Sequence, residues 1–289
     1  MESENIHWSN YDIAELYMIM GGIPFYLSQI DPSISLSENI DQIFFKEHGL
    51  LWDEFYRLYD TLFNGNQKYI KIVEILSEIK YGLTRNEIAN KLKIPANGAL
   101  TKMLQNLIDS GFVFSIVSYR ASKDTVYLLR DFYTLFYFRF LKGNKGKDEH
   151  YWSNSFDLPK RRGWLSLSFE LLCLGHVNEI KKALGISGVN STYYSWNKKG
   201  DDGAKGAQID LAIDRRDNVA SLCEMKFTMN EFEINKDIYM ELMNKIVVFQ
   251  SENKRKSVQT VLITTYGLKR NQYSNAINKC VTLDAFFAK

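Results

Sequence analysis

The chain has 289 residues, of which 45% are hydrophobic and 24% charged, and its formal net charge is +2. This length and composition are typical of a globular protein with two or three domains. The sequence has no run of about 18 apolar residues and begins with the polar, acidic MESENIHWSN, so it predicts neither a membrane span nor a signal peptide.

The cysteines indicate the redox compartment. Cys173, Cys223 and Cys280 are far apart, lie among apolar residues and form no Cys-x-x-Cys or Cys/His pattern. Because this spacing does not suit zinc, the sequence predicts reduced core thiols in a cytoplasmic protein.

Charge is distributed unevenly along the chain. Residues 1–65 contain 2 basic and 11 acidic residues, residues 66–142 contain 12 and 6, and residues 151–289 contain 20 and 15. Phosphate affinity comes from clustered lysine and arginine. The two basic segments are therefore the candidates for nucleic-acid contact, and the first segment is not.

Residues 1–65 are predicted to form a helical segment. YDIAELYMIM has apolar residues at helical spacing and ends at Gly21-Gly22, and a short apolar turn follows at 23–27. Further amphipathic helices are predicted over 36–45 and 51–62. A helical bundle that buries its aromatic residues would account for the same pattern.

Residues 66–142 show the pattern of a winged helix-turn-helix. KYIKIVEILSEIKYG is amphipathic, Thr84 and Glu87 form a capping-box pattern before a short helix, and ALTKMLQNLIDSGF is a longer helix that ends at Gly111. FVFSIVSYR and TVYLLRD then predict two strands around a turn at 121–124. The helix over 131–141, DFYTLFYFRFL, is too aromatic for a surface position and is predicted to be buried.

The third helix of a winged helix enters the major groove, and its wing reaches phosphate. The residues predicted to contact DNA are Asn97, Thr101, Lys102 and Gln105 of that helix, with Arg120 and Lys123 of the wing. Winged helices also serve as protein-docking modules, and Lys102 is the only basic residue on the third helix. A protein partner is therefore the alternative to DNA.

Residues 143–162 are the predicted linker. GNKGKDEH, at 143–150, combines glycine with charge, and both oppose core formation. Lys160-Arg161-Arg162 near the end of this stretch is either an exposed phosphate-contacting cluster or a polar lead-in to the last domain, residues 163–289.

The last domain is organised around GAQIDLAIDRRDNVASLCEMKF, residues 206–227, which predicts two strands joined by a polar turn. In the second strand Glu224 and Lys226 share a face, so hairpin pairing brings Asp210 beside them. A covering helix over 235–250 and an interior strand over 259–265 are predicted to follow. Strict alternation in the first strand places Ile209, Leu211 and Ile213 on one face and Gln208, Asp210, Ala212 and Asp214 on the other.

Two carboxylates and an ammonium group on one sheet face favour a site for Mg²⁺ or Mn²⁺. Hard oxygen ligands suit these ions, and a metal bound there activates water and neutralises charge on a phosphate. Glu224 and Lys226 interrupt an otherwise apolar strand, where an unpaired charge is costly. An incidental ion pair on a solvated hairpin is the alternative.

The same residues carry a family resemblance. Gln208 two residues before Asp210, with Glu224-Met225-Lys226 ending the next strand, resembles the core of the PD-(D/E)XK nuclease superfamily over about residues 163–289. The resemblance implies a mixed β-sheet flanked by helices and metal-dependent phosphodiester cleavage, with Asp210 and Glu224 as metal ligands and Lys226 as the catalytic lysine. Ile209 replaces the motif's proline.

Two further site residues follow from this resemblance. Glu170, in the amphipathic segment LSLSFELLCLGHVNEIKKAL, resembles the acidic residue that the superfamily often places on its first core helix, and it would be a third metal ligand. Gln208 matches a glutamine found in some branches of the superfamily.

The first segment carries a second resemblance. YMIMGGIPFYL resembles a segment in the helical lid of the archaeal-type AAA+/STAND ATPases, and the order of lid-like helices, winged helix and nuclease-like domain resembles the C-terminal region of that family from end to end. No Gly-x-x-x-x-Gly-Lys-[Ser/Thr] occurs in the sequence, so this chain is not expected to hydrolyse ATP. The protein partner that the resemblance implies is an ATPase domain or another protein.

The predicted fold class is therefore α+β and multidomain, with an N-terminal helical segment, a winged helix-turn-helix and a C-terminal α/β restriction-endonuclease-like domain. Two functions of different classes fit it. The first is a DNA-binding, Mg²⁺-dependent nuclease that its winged helix recruits to DNA. The second is a non-catalytic regulatory or interaction module derived from the C-terminal half of an ATPase.

Overall fold

The computed structural model describes residues 8–119, 123–144, 146–200 and 205–287. Within these ranges the chain has an α+β fold with a mixed β-sheet of eight strands. It forms two compact units, one made of the described residues within Met1–Ser115 and Tyr127–Ser168, and the other of those within Ile116–Val126 and Phe169–Lys289. Every helix in the described ranges is too short or too polar to cross a lipid bilayer.

The first unit is mainly helical, and the helices predicted over residues 11–20, 36–45 and 51–62 are confirmed within a few residues. Two π-helical stretches, Asp41–Phe45 and Tyr137–Leu141, continue α3 and α8. The helices are α1 (Asn10–Met20), α2 (Pro24–Leu27), α3 (Leu36–Ile40), α4 (Glu54–Phe63), α5 (Gln67–Ser77), α6 (Arg85–Leu92), α7 (Gly98–Asp109), α8 (Phe132–Phe136), α9 (Lys142–Asn144), α10 (Tyr151–Asn154) and α11 (Pro159–Gly175).

Side-chain caps determine where several of these helices begin. The capping box predicted before α6 is confirmed, because Thr84 Oγ1 accepts the Glu87 amide at 3.2 Å and the Glu87 carboxylate accepts the Thr84 amide at 2.7 Å. Ser9 forms the same arrangement before α1. At its other end α1 stops at Gly21, whose φ of 68° is open to glycine at little cost.

The aromatic stretch 131–141 lies in the core of the first unit, as its composition predicts. Phe136 and Phe140 are at most 1% exposed, and both rings contact Trp152 with centroids 5.1 Å away. Phe55 of α4 stacks on Tyr137 with a centroid distance of 3.7 Å. These contacts join helices that are distant in sequence.

Arg161 is part of this core rather than a surface residue. Its side chain is 3% exposed, its guanidinium lies 4.0 Å from the Trp152 ring centroid, and its Nη2 atom lies 2.6 Å from Glu15 Oε1. The basic cluster at 160–162 therefore does not present Arg161 to phosphate. Trp152 and Arg161 both lie inside the stretch predicted as a linker, residues 143–162.

The sheet combines antiparallel and parallel pairing. The strand order is β1-β3-β2-β4-β5-β6-β7-β8, with β4–β5 and β5–β6 antiparallel and β2–β4, β6–β7 and β7–β8 parallel. The strands are β1 (Leu83–Thr84), β2 (Val113–Tyr119), β3 (Lys123–Leu129), β4 (Ser191–Lys198), β5 (Ala207–Arg215), β6 (Val219–Lys226), β7 (Ser257–Thr264) and β8 (Lys279–Thr282).

Two local predictions need correction. Of the turn predicted at 121–124, Lys123 and Asp124 belong to β3 instead, and residues 121 and 122 lie outside the described ranges. Cys173 and Cys223 are buried free thiols, as predicted, but Cys280 is exposed because it lies in the short, final strand β8.

The second unit contains β4 to β8, the end of α11, and the helices α12 (Val177–Ala183) and α13 (Lys236–Glu252). Helix α13 follows β6 and precedes its parallel neighbour β7, the connection that parallel strands require. It buries Leu242 and Phe249, and the Phe249 ring lies 5.3 Å from Trp196 of β4. The covering helix predicted over 235–250 is therefore confirmed.

Candidate active site

The candidate active site lies where strands β5 and β6 separate. The last residue pair in their antiparallel ladder is Leu211 with Cys223, and the next residues are Asp210 on β5 and Glu224 on β6. Beyond this point β5 stays paired with β4, and β6 stays paired with β7 as far as Lys226. The strands therefore form a fork, with Asp210 on one arm and Glu224 and Lys226 on the other.

A β-bulge lies in β5 at the base of this fork. Tyr194 of β4 pairs with Ala212, whereas Trp196 pairs with Ile209, so two residue steps on β4 match three on β5. Ile209 and Ala212 consequently join the same core cluster. The strict alternation predicted for β5 is wrong here, because the extra residue changes which face of the sheet the side chains around Asp210 occupy.

Gln208 lies beside Asp210. Its Nε2 atom donates a hydrogen bond to Asp210 Oδ1 at 3.2 Å, and its Oε1 atom accepts one from Asn197 Nδ2 at 3.4 Å. Gln208 therefore links β4 to the carboxylate of Asp210, which is a positioning role.

Glu224 contacts two lysines, one with each carboxylate oxygen. Lys226 Nζ lies 2.8 Å from Oε1, and Lys245 Nζ lies 2.8 Å from Oε2. The Glu224 side chain is 15% exposed and that of Lys245 is 16% exposed, so this pair is largely shielded from water. Lys226 is more open, at 38%.

These contacts determine the ionisation of Glu224. Burial raises the pKa of its carboxyl, but the ammonium groups of Lys245 and Lys226 together lower it further, so its pKa is below the ordinary glutamate value. For Lys245, burial lowers the pKa while Glu224 and Glu241 raise it, with a net increase. At neutral pH the site therefore holds an anionic carboxylate and a cationic Lys245.

Lys245 is the site residue that sequence reasoning missed. It lies three residues after Leu242 and four before Phe249, the two buried residues of α13, so helical spacing places it on the same side as both. A lysine on the apolar side of a sheet-covering helix needs a carboxylate partner beneath the helix. Glu224 on the neighbouring strand is that partner.

The predicted third ligand, Glu170, lies on α11 near Cys173. Burial is the main cause that raises the pKa of the Cys173 thiol, and Cys223 and Glu170 add to the increase. Among the described residues, no group of three or more His, Cys, Asp or Glu side chains is arranged to hold a metal ion. Glu170, Asp210 and Glu224 all belong to that set, so this structure does not gather them into one three-carboxylate group. Their role as metal ligands stays a prediction.

A narrow crevice opens beside Glu224, between β6 and α13. Its volume of about 10 Å³ has room for roughly one water molecule. Its polar lining comes from Glu224, Lys245 and Thr260, and its other walls are formed by Ile209, Leu222, Cys223, Leu242 and Ile246. A small ligand bound to Glu224 Oε2 would therefore compete with Lys245 for this space.

The predicted DNA-contacting residues of the third helix lie on the exposed side of α7. That helix buries Leu100, Leu104 and Leu107 on its other side. Three of the four predicted residues already have local partners. Asn97 Oδ1 caps the helix by accepting the Ala99 and Leu100 amides, Thr101 Oγ1 accepts from Arg85 Nη1 at 3.0 Å, and Gln105 Nε2 donates to Asp109 at 2.8 Å. Lys102 is exposed.

Arg85 is a second basic residue on this surface, and it was not among the residues predicted to contact DNA. It is exposed at the first position of α6 and reaches Thr101 on α7. The capping-box pattern at Thr84 was the available signal, because it places Arg85 at the start of a helix. The first unit thus presents Arg85 and Lys102 from two adjacent helices.

The structure describes one of the two predicted wing residues. Lys123 is exposed at the start of β3, in the second unit, with its Nζ atom 6.0 Å from the ring centroid of Tyr119. Arg120 lies outside the described residues.

A scan against protein-family models finds no match for this chain, and a search of curated proteins finds no significant match.

Proposed function

We propose that this chain is a DNA-binding, Mg²⁺- or Mn²⁺-dependent nuclease whose phosphodiester-cleaving site is the fork between β5 and β6. The observation that carries this proposal is the position of Asp210 and Glu224 as the first residues beyond the end of the β5–β6 ladder.

The arrangement of the second unit supports a PD-(D/E)XK-like core. Strands β4, β5 and β6 are antiparallel neighbours, β7 and β8 continue the sheet in parallel with β6, and α13 connects β6 to β7. A mixed sheet with a helical crossover is the architecture that the resemblance implies.

The site residues have the chemistry that this reaction needs. Glu224 is anionic at neutral pH, Gln208 positions Asp210, and Lys226 places an exposed ammonium group at the fork, where it would stabilise the charge that develops on a phosphate. A divalent cation bound by the carboxylates would supply Lewis-acid activation of water. The carboxylates fit such an ion by type, but Oε2 of Glu224 accepts it only if Lys245 moves away.

Recruitment to nucleic acid is proposed for residues 66–142. The order α5, α6, α7, β2 and β3 supports the proposed winged helix-turn-helix, and α7 exposes the side that would enter a major groove. Arg85 and Lys102 supply positive charge there. The wing residues Lys123, in the second unit, and Arg120, outside the described residues, stay predictions from the sequence.

The relation to an archaeal-type ATPase is part of the proposal. The stretch that carries the resemblance forms α1 and the short α2 on either side of Gly21-Gly22. An ATPase domain encoded upstream would then be a protein partner of this chain.

The second candidate is a non-catalytic interaction module, and the two lysines on Glu224 favour it. A carboxylate whose two oxygens both lie 2.8 Å from ammonium groups is already neutralised without a metal. If that pairing is permanent, the fork is a structural ion-pair network.

A cleavage assay separates the two candidates. The purified chain is expected to cut or nick duplex, single-stranded or branched DNA with Mg²⁺ or Mn²⁺, to stop with EDTA, and to lose this activity in Asp210→Asn. Asp214→Asn is the matched control, because Asp214 lies on the same strand but pairs with Lys256 away from the fork. If the folded parent cuts none of these substrates with either metal, the interaction module takes the place of the nuclease.

A further inference from the structure

We propose that Lys245 binds Oε2, the metal-ligand oxygen of Glu224, in the metal-free protein. When a divalent cation binds, Lys245 leaves this oxygen and pairs with Glu241. This inference rests on the proposed metal-dependent function and adds to it a built-in competitor that sets metal affinity.

The geometry gives Lys245 two carboxylate partners. Its Nζ atom lies 2.8 Å from Glu224 Oε2 and 3.1 Å from Glu241 Oε1. Glu241 is one helical turn earlier on α13, and its side chain is 52% exposed. Lys245 can therefore release Glu224 and remain paired with Glu241, so its ammonium group is not left without a partner.

Lys245 and a metal ion cannot share Oε2 comfortably. Mg²⁺ and Mn²⁺ need oxygen ligands at about 2.0–2.6 Å, and the ammonium group already lies within hydrogen-bond distance of the same oxygen. Two cations on one oxygen of a half-buried carboxylate repel each other strongly. The crevice at this point has room for roughly one water molecule, which leaves little space for both.

Lys226 is the second lysine on Glu224. It contacts the other oxygen, Oε1, from the same strand, and it is more exposed than Lys245. Displacement at Oε2 therefore leaves the Lys226 contact in place, so the metal and the proposed catalytic lysine remain together on one carboxylate.

Lys245 lowers the apparent metal affinity, because the ion binds only the fraction of the protein in which Oε2 is free. Titration calorimetry with Mn²⁺ is expected to show affinity at least about tenfold higher for Lys245→Met than for the parent. Lys256→Met is the matched control, because Lys256 is a half-buried lysine that pairs with Asp214 on the same sheet. It should keep the parent's affinity, and Lys245→Met/Glu224→Gln should lose the gain.

A double-mutant cycle tests whether Lys245 moves to Glu241. Glu241→Gln is expected to lower Mn²⁺ affinity in the parent, because Lys245 then stays on Glu224, and to have little effect in Lys245→Met. An equal loss of Mn²⁺ affinity in both backgrounds would indicate a through-space charge effect and would reject the movement of Lys245 to Glu241.

Amine labelling gives a readout on the unmodified protein, which is needed if Lys245→Met does not fold. Acetylation of Lys245, followed by mass spectrometry, should become faster when Mn²⁺ is added, while Lys256 stays unchanged. No change at Lys245 under saturating Mn²⁺ overturns the proposal.

The outcomes distinguish this inference from the proposed function. If the parent and Lys245→Met bind Mn²⁺ equally well, the metal site stands and the competitor is rejected. If neither binds Mn²⁺, both the competitor and the metal-dependent nuclease are rejected.

Discussion

Nη2 of Arg161 lies 2.6 Å from Oε1 of Glu15, a residue 146 positions earlier in the chain, and both side chains are 3% exposed. The pair joins α1 to the start of α11 inside the first unit. Removing one partner of a buried ion pair leaves the other charge without compensation, which costs more than the pair itself contributes.

Arg161→Met is therefore expected to lower the free energy of unfolding by about 3–5 kcal/mol, measured by chemical denaturation. The control is Lys269→Met, which removes the surface pair of Lys269 and Glu233, whose side chains are 56% and 53% exposed. That change should cost far less, because solvent screens an exposed ion pair. Similar losses in the two variants would contradict the structural role of Arg161.

Gly82, before β1, is a backbone position that a side chain cannot occupy. Its φ is 67°, and a Cβ atom would lie 2.7 Å from the carbonyl oxygen of Tyr127. Gly82→Ala is expected to cost at least about 2 kcal/mol in thermal or chemical unfolding, from backbone strain and overpacking together. Gly111→Ala has similar backbone strain at φ 80° but nothing within 4 Å, and should cost only about 1 kcal/mol. Equal effects would show that the Tyr127 contact is unimportant.

The lowered pKa of Glu224 predicts how stability depends on pH. Because its folded-state pKa is below the ordinary value of 4.5, the unfolded chain binds this proton more readily, and ionised Glu224 stabilises the fold above that pH. This contribution is lost as pH falls below about 4.5. Unfolding free energies measured between pH 6 and pH 3 should therefore fall less steeply for Glu224→Gln than for the parent. Parallel profiles would mean that the two lysines do not perturb Glu224.

Local signals explain which parts of the fold could be predicted. The capping box at Thr84 depends only on neighbours in sequence, and the structure reproduces it. The aromatic helix over 131–141 was recognisable as buried from composition alone.

Long-range contacts explain the rest. The bulge at Asp210 depends on how β5 registers against β4, the contact of Lys245 depends on where α13 crosses β6, and the burial of Arg161 depends on Glu15. None of these partners is close in sequence, so the sequence predicted an alternating strand at Asp210 and a basic cluster at 160–162, and it did not indicate Lys245. The candidate site could therefore be predicted in its strand residues but not in its helical partner.

Nucleic-acid binding by the first unit should depend strongly on salt. If Arg85 and Lys102 contact phosphates, fluorescence anisotropy with a duplex should show log affinity falling linearly with log salt, and Lys102→Ala or Arg85→Ala should each reduce that slope by about 1. Lys46→Ala changes an exposed lysine in the acidic segment 1–65 and should leave the slope unchanged. Binding that is absent or independent of salt would indicate that residues 66–142 dock a protein instead.

Lys226 has the most exposed side chain among Glu224 and its two lysines. If it stabilises charge that develops only in the transition state, Lys226→Ala should bind DNA and Mn²⁺ as well as the parent but turn over at least about 10²-fold more slowly. Single-turnover cleavage with saturating Mg²⁺ or Mn²⁺, together with separate binding titrations, measures the two effects independently.

Lys236→Ala is the matched control, because Lys236 is an exposed lysine at the start of α13 and outside the contacts of Glu224. It should cleave at the parent's rate. A Lys226→Ala variant that cuts as fast as the parent would remove Lys226 from the chemistry, since a transition-state group cannot be lost without a change in rate. Slower cleavage with equally weakened Mn²⁺ binding would instead assign Lys226 to holding Glu224, because a positioning loss appears in the ground state as well.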